Sequence, residues 1–135
     1  MSYIQGFLIA VPKAKKQAYI DSARAAAPIF KEYGALRVVE TWSETIADGK
    51  VTDFKRAVQA TADEAVVFAW IEWPDQQTYE AASAKMQTDT RWNDMPEMPF
   101  DGQRMVWGGF DPIFDSQSED SQSEPWAGAG FASSS

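Results

Sequence analysis

AVVFAWIEWP, Ala65 to Pro74, is a run of β-branched, aromatic and small side chains closed by a proline. That composition favours an extended strand. Side chains alternate across a strand, so Val66, Phe68 and Trp70 share one face while Val67, Ala69, Ile71 and Trp73 share the other. Both faces are apolar, unlike those of a strand that is wet on one side, so both must be covered.

Upstream, Tyr3 to Val11 has the same strand character, and Pro12 stands where a helix would begin. Tyr19, Ala23, Ala26, Phe30 and Tyr33 then recur at spacings of four and three, the apolar stripe of a helix, leaving Lys16, Arg24 and Lys31 to solvent. Pro28 predicts a kink in this helix and Gly34 its C-terminal cap. Leu36, Val38, Glu40 and Trp42 alternate with Arg37, Val39 and Thr41 as a second strand, and Asp48-Gly49 marks a turn. VTDFKRAVQA, Val51 to Ala60, fits either a short helix capped by Thr52 or a strand lined by Phe54, Arg56 and Val58; the strand is adopted.

Downstream, Pro74-Asp75 repeats the proline-opened helix start, and Asp75 to Thr88 is the second helix. Thr90 to Phe100 is a long irregular loop, and Arg104 to Phe110 a last strand. Strand, helix, strand, strand, helix, strand is the ferredoxin-like βαββαβ order of an α+β fold with a four-stranded antiparallel sheet. Two helices cover one face of that sheet. A second sheet over the other face predicts a homodimer.

Residues 1–115 make up this domain, and from Ser116 the Ser-, Gln- and Glu-rich SQSEDSQSEPWAGAGFASSS predicts a disordered tail over 116–135. The GAG in it follows no strand and opens no helix, so it is no nucleotide-binding fingerprint.

The 135 residues carry 20 acidic against 12 basic side chains, a formal net charge of -8, without any Lys/Arg cluster that could track a phosphate backbone. Nucleic acid is therefore not an expected partner. Cysteine and histidine are both missing, which excludes disulfides, thiolate chemistry, a Ser-His relay, a histidine-ligated haem and an ordinary zinc site. No metal and no cofactor are expected, and a general base must be Asp, Glu, Lys, Tyr or a bound group. Phe7 to Val11 is too short for a signal peptide core or for a membrane span of ~20 apolar residues, so a cytoplasmic protein without a membrane partner is expected.

Ionisable residues inside apolar strands are the first site candidates, because a buried charge is costly unless paired or used. Glu72, on the face of Phe68 and Trp70, and Glu40, beside Val38 and Trp42, are candidate catalytic acids or bases; cross-strand or cross-dimer ion pairing is the other reading of each. Arg104, after the Asp101-Gly102 turn, is a candidate ligand-holding cation, although a pair with a carboxylate near the sheet end is preferred. Trp70, Trp107, Trp92, Met98 and Phe100 are candidate contacts to a small hydrophobic ligand, the last three as an adaptable lid or as wedges fixing the loop to the core. Asp53, Lys55 and Arg56 around Phe54 read as a solvated hairpin, and Gly108-Gly109 as a close approach or a β-bulge.

GFLIAVP, AAAPIFKEYGALRVVETW, DGKVTDFKRAVQATADEAVVFAWIEWP and MPFDGQRMVWGGFDPI, in this order, resemble the YbaA-like bacterial family, a domain of unknown function. The resemblance covers roughly Met1 to Phe114 and leaves out the Ser-rich tail. It implies a dimeric α+β barrel, a fold shared with small cofactor-free monooxygenases, muconolactone isomerases and haem-degrading enzymes, and it implies no established activity. The haem-degrading branch typically ligates iron through histidine, which this chain lacks.

Overall fold

A computed structural model describes residues 2–119. β1 (Tyr3–Pro12) and β3 (Glu64–Trp73) form the centre of a four-stranded sheet, antiparallel from Tyr3 opposite Trp73 to Pro12 opposite Glu64. β2 (Arg37–Ser43) flanks β3 and β4 (Val106–Phe110) flanks β1, giving the order β2-β3-β1-β4 with every neighbour antiparallel. Helices α1 (Lys16–Glu32) and α3 (Gln76–Thr88) follow β1 and β3, with short helices α2 (Phe54–Ala57) and α4 (Ser116–Glu119) in between and after. This is the expected ferredoxin-like α+β topology. No helix among the described residues is long and apolar enough to cross a membrane.

Register fixes which residues share a face. Tyr3, Gln5, Phe7 and Ile9 lie in line with Trp73, Ile71, Ala69 and Val67, and the last three of these with Val38, Glu40 and Trp42. This set faces the helices, where Tyr3, Ile29, Tyr33, Ile71, Trp73 and Ala82 form one core cluster and Ile9, Val11, Tyr19, Val67 and Ala69 another. Each large apolar side chain so buried contributes about 1.5–3 kcal/mol. The opposite face carries Leu8, Val66, Phe68, Trp70 and Phe110, and Phe68 and Phe110 remain 49% and 62% exposed.

Local expectations are corrected at several points. Val51 to Ala60 is not a strand: Asp53, rather than Thr52, caps α2 by accepting the Arg56 N–H at 2.8 Å, so the segment coils for one turn. Neither proline opens a helix. Pro12 is the last residue of β1, with a 3-10 turn at Lys13–Lys15 before α1, and Pro74 precedes the cap Asp75, whose carboxylate accepts the Thr78 N–H at 2.7 Å. α1 runs on through Pro28 to Glu32, and Gly34, the expected terminator, follows two residues later with φ +114. A 3-10 turn at Thr90–Asp94 structures the start of the long loop, and another at Gly102–Arg104 leaves Arg104 outside β4.

The paired glycines make no bulge, since β4 keeps unbroken register with β1. A Cβ on Gly109 would lie 2.1 Å from the Tyr3 hydroxyl, so this glycine is the space into which Tyr3 packs. Ser116–Glu119 form a helical turn where disorder was expected; the rest of the tail lies outside the described residues.

Candidate functional site

Between α1 and the helix-facing side of the sheet lies a cavity of about 350 Å³, within the size range of small-molecule sites. It exists because Ala23 and Ala26 on α1 face Ala69 on β3, where larger side chains would close it. Phe7, Ile9 and Ile71 line the sheet side, Tyr19 and Phe30 the helix side, and Met86, Trp92, Met98, Phe100 and Met105 the rest. Three further residues bring polar groups: Gln5, Ser22 and Glu40. The Ser22 hydroxyl is committed to its own helix, donating to the Ala18 carbonyl at 3.0 Å.

Glu40 is the chemically poised group. The Tyr19 hydroxyl donates to its Oε1 at 2.6 Å, and Oε2 has no protein partner among the described residues. Glu40 is an exposed residue by surface area, yet the protein packed around the carboxyl on the cavity side disfavours its charge. Burial raises its pKa above the ordinary glutamate value, against a smaller lowering by the Tyr19 hydrogen bond. Burial, the Glu40 charge and the same hydrogen bond all push the Tyr19 pKa upward, so this phenol stays protonated as a donor. Tyr19 is itself held by rings, with Phe100 at 6.0 Å and Trp42 at 6.4 Å between centroids.

The segment from Thr90 to Met105 covers one side of the cavity and is pinned at both ends by arginine–carboxylate contacts. At the first end the Trp92 indole donates to the Tyr33 hydroxyl at 2.9 Å and that hydroxyl donates to Asp89 at 2.6 Å. Arg91 grips both Asp89 and Glu32, holding the Asp89 carboxyl well below the usual range. At the other end Arg104 binds Glu64 in a fork, 2.9 and 2.7 Å, and donates to the Gln59 carbonyl at 2.9 Å. Arg104 and the Thr61 N–H bring the Glu64 pKa down to about 2, against the opposing effect of burial.

Of the sequence candidates, Glu40, Trp92, Met98 and Phe100 come together around the cavity. Glu72 and Trp70 do not: they stand on the opposite sheet face, where the Trp70 indole donates to Glu72 at 3.0 Å and Arg37 approaches Glu72 at 3.7 Å. Trp107 is 60% exposed on the edge strand and borders an apolar groove beside Phe68 and Phe110. Arg104 is spent on Glu64, the preferred reading of it. Sequence reading passed over Tyr19 and Gln5. The available signal was that a tyrosine on a buried helical stripe needs a partner for its hydroxyl.

Two larger hollows, about 540 and 610 Å³, are open clefts in which Lys55 is paired with Asp48, Arg56 with Asp53, and Arg104 with Glu64, while Lys15 at the rim of the second has no ion pair among the described residues. Among the described residues no group of three or more acidic side chains is placed to hold a metal ion.

The fold and site define a ferredoxin-like α+β domain with a carboxylate set in an apolar, ligand-sized cavity. Residues 2–102 match the family described as "Protein of unknown function (DUF1428)", and the chain belongs to that family. It is 53% identical over 116 residues to the uncharacterized protein YbaA of Escherichia coli K12, covering 85% of this chain and 99% of that one, and equally to YbaA of Shigella flexneri. Among solved structures, a mutant of SnoaB, a cofactor-independent oxygenase from Streptomyces nogalater, is similar at 15% identity over 84% of this chain and 95% of that chain, with a TM-score of 0.42.

Proposed function

We propose that the protein is a cofactor-free enzyme that takes a small, mainly apolar or aromatic molecule into this cavity and moves a proton on it with Glu40. The observation that carries the reading is the Tyr19–Glu40 hydrogen bond of 2.6 Å in a cavity otherwise lined almost wholly by apolar side chains. A carboxylate with a raised pKa, held by one oxygen and open at the other, is suited to act as a general base. Proton removal is the first step of an isomerisation and also of oxygenation by molecular oxygen without a cofactor, and both classes fit the site. A protein that retains such a molecule without converting it is the competing possibility.

The test is deuterium exchange into the ring carbons beside the hydroxyl of a para-hydroxyphenyl ketone in deuterium oxide, followed by NMR, because removal of the O–H proton activates those carbons. Glu40→Gln is expected to slow exchange by about 10²–10⁴-fold, and Tyr19→Phe to shift the pH profile. Glu72→Gln should leave the rate unchanged, because that carboxylate lies on the other sheet face. Glu40 must be ionised to accept a proton, so its raised pKa places the acid limb of the profile above the ordinary glutamate range. Exchange at the wild-type rate in Glu40→Gln would remove the assignment.

The open sheet face supports a homodimer. Phe54, Phe68, Val106 and Phe110 are 45–62% exposed there, beside the Trp70 ring, which lies 5.7 Å from Phe68. Contiguous apolar surface of this kind is uncommon on a monomer, and the family resemblance of the sequence implies a second sheet in that position. Light scattering should give twice the chain mass, and Phe68→Glu, placing a charge in the middle of the face, should return the mass of one chain. A wild-type monomer at micromolar concentration would overturn the dimer.

A further inference from the structure

Gln5 is the second polar group of the cavity, and its orientation is fixed by a neighbour that can only donate. The Trp73 indole N–H, on a side chain 1% exposed, donates to Gln5 Oε1 at 3.2 Å. An indole has no acceptor, so the amide cannot be turned the other way without losing this bond. The Gln5 Nε2 group is thereby left as a donor with no protein acceptor among the described residues, on a side chain that lines the cavity. A donor facing an apolar cavity is costly unless a ligand or water accepts from it.

Gln5 and Glu40 stand at two ends of the cavity floor. Gln5 lies opposite Ile71 on one side of β3, and Glu40 lies opposite Ala69 on the other. Two strand spacings across and two residues along put their Cα atoms on the order of 12 Å apart. The floor between them is Ile71 beside Gln5 and Ala69, 2% exposed, beside Glu40, an apolar surface for a flat ring, with Phe7 next to Ala69.

We infer that the ligand is a flat, elongated aromatic molecule carrying a carbonyl oxygen at one end, held by Gln5 Nε2, and an O–H at the other, donated to Glu40 Oε2. Side chains stand roughly perpendicular to a sheet, so the polar ends of Gln5 and Glu40 are separated by a similar span, which a single ring with oxygens at opposite ends plus two hydrogen bonds of about 2.8 Å covers. The inference rests on the cavity being the ligand site and deepens that reading by assigning the substrate class. Gln5 is then the residue that selects for the carbonyl, and Trp73, which never touches the ligand, is a positioning residue acting through Gln5.

Three probes separate the claims: para-hydroxybenzaldehyde, which has both groups; para-ethylphenol, which lacks the carbonyl; and para-methoxybenzaldehyde, which lacks the O–H. Calorimetric titration of the full chain should rank the first about tenfold tighter than either of the others. Gln5→Met should abolish its preference over para-ethylphenol while leaving para-ethylphenol affinity unchanged. Gln5→Glu retains an acceptor for the Trp73 indole, guarding against a folding defect, and should likewise lose the preference. In the infrared, the carbonyl stretch of bound para-hydroxybenzaldehyde should be lowered by the native protein and restored by Gln5→Glu, a change that a purely structural Gln5 would not produce. Binding of all three probes with equal affinity, or a stretch indifferent to Gln5→Glu, overturns the substrate class and leaves the cavity as a ligand site. Binding of none at millimolar concentration overturns both.

Discussion

Replacing Trp73 with alanine is expected to remove about 3–5 kcal/mol of stability and to lower Tm by about 12–20 °C. The side chain is 1% exposed and is among the largest fully buried groups. It meets the Phe30 ring edge-on at 6.5 Å and the Tyr79 ring at 6.1 Å, so truncation leaves a void against both α1 and α3. Against a total of about 5–15 kcal/mol for a domain, this loss leaves the variant barely folded at 37 °C. Trp73→Phe separates packing from hydrogen bonding. It keeps an aromatic ring in the core, costs about 1–2 kcal/mol, and frees the Gln5 amide to turn. Thermal unfolding followed by circular dichroism checks both variants. A Tm within about 5 °C of wild type for Trp73→Ala would mean that the two helices do not close over this side chain as described.

The same tryptophan shows what the sequence could and could not convey. Strand alternation at residues 65–74 identifies a strand apolar on both faces, and the parity of Glu72 with Phe68 and Trp70 is readable directly. Which face carries the helices is not, because hydrophobicity is comparable on both. It is settled by the register that aligns Ala69 and Ile71 with Phe7 and Gln5 beneath α1, and this is why Glu40 enters the cavity and Glu72 does not. The segment from Val51 to Ala60 is ambiguous for a related reason. Phe54 and Val58 are four residues apart, a spacing that serves one strand face as well as one helix face. The decision falls to a single Asp53 side chain capping one turn. Gln5 was invisible because a glutamine in a strand carries no signal until its partner, distant in sequence, is known.

Arg104→Ala is expected to cost about 2–3 kcal/mol at neutral pH, with most of the cost disappearing in acid. The guanidinium makes two bonds to Glu64, one to the Gln59 carbonyl and one to Asp101 at 3.2 Å, and the side chains of Arg104 and Glu64 are only 23% and 10% exposed. Removing it strands a largely buried carboxylate, with the Thr61 N–H at 2.9 Å as its remaining partner, and that is dearer than losing a solvated ion pair. Arg104→Lys should recover only part of the loss, since one ammonium cannot reproduce the fork. The pH dependence follows from Glu64. Its folded pKa is about 2 against 4.5 for the unperturbed group, so the folded state binds the proton less readily than the unfolded one. The stabilisation is therefore complete above pH 4.5 and drains away as pH falls towards 2. Urea denaturation of wild type and Arg104→Ala should give curves well separated at pH 7 that converge as the pH approaches 2. A separation that persisted there unchanged would assign the loss to the packing of the arginine stem rather than to its charge. Because Arg104 adjoins Met105 and closes the segment that carries Met98 and Phe100, the variant should also bind cavity probes more weakly at pH 7, where the folded fraction is still high. On acidification of the wild type, probe binding should fall first, as Glu40 takes up its proton, and stability later, as Glu64 does.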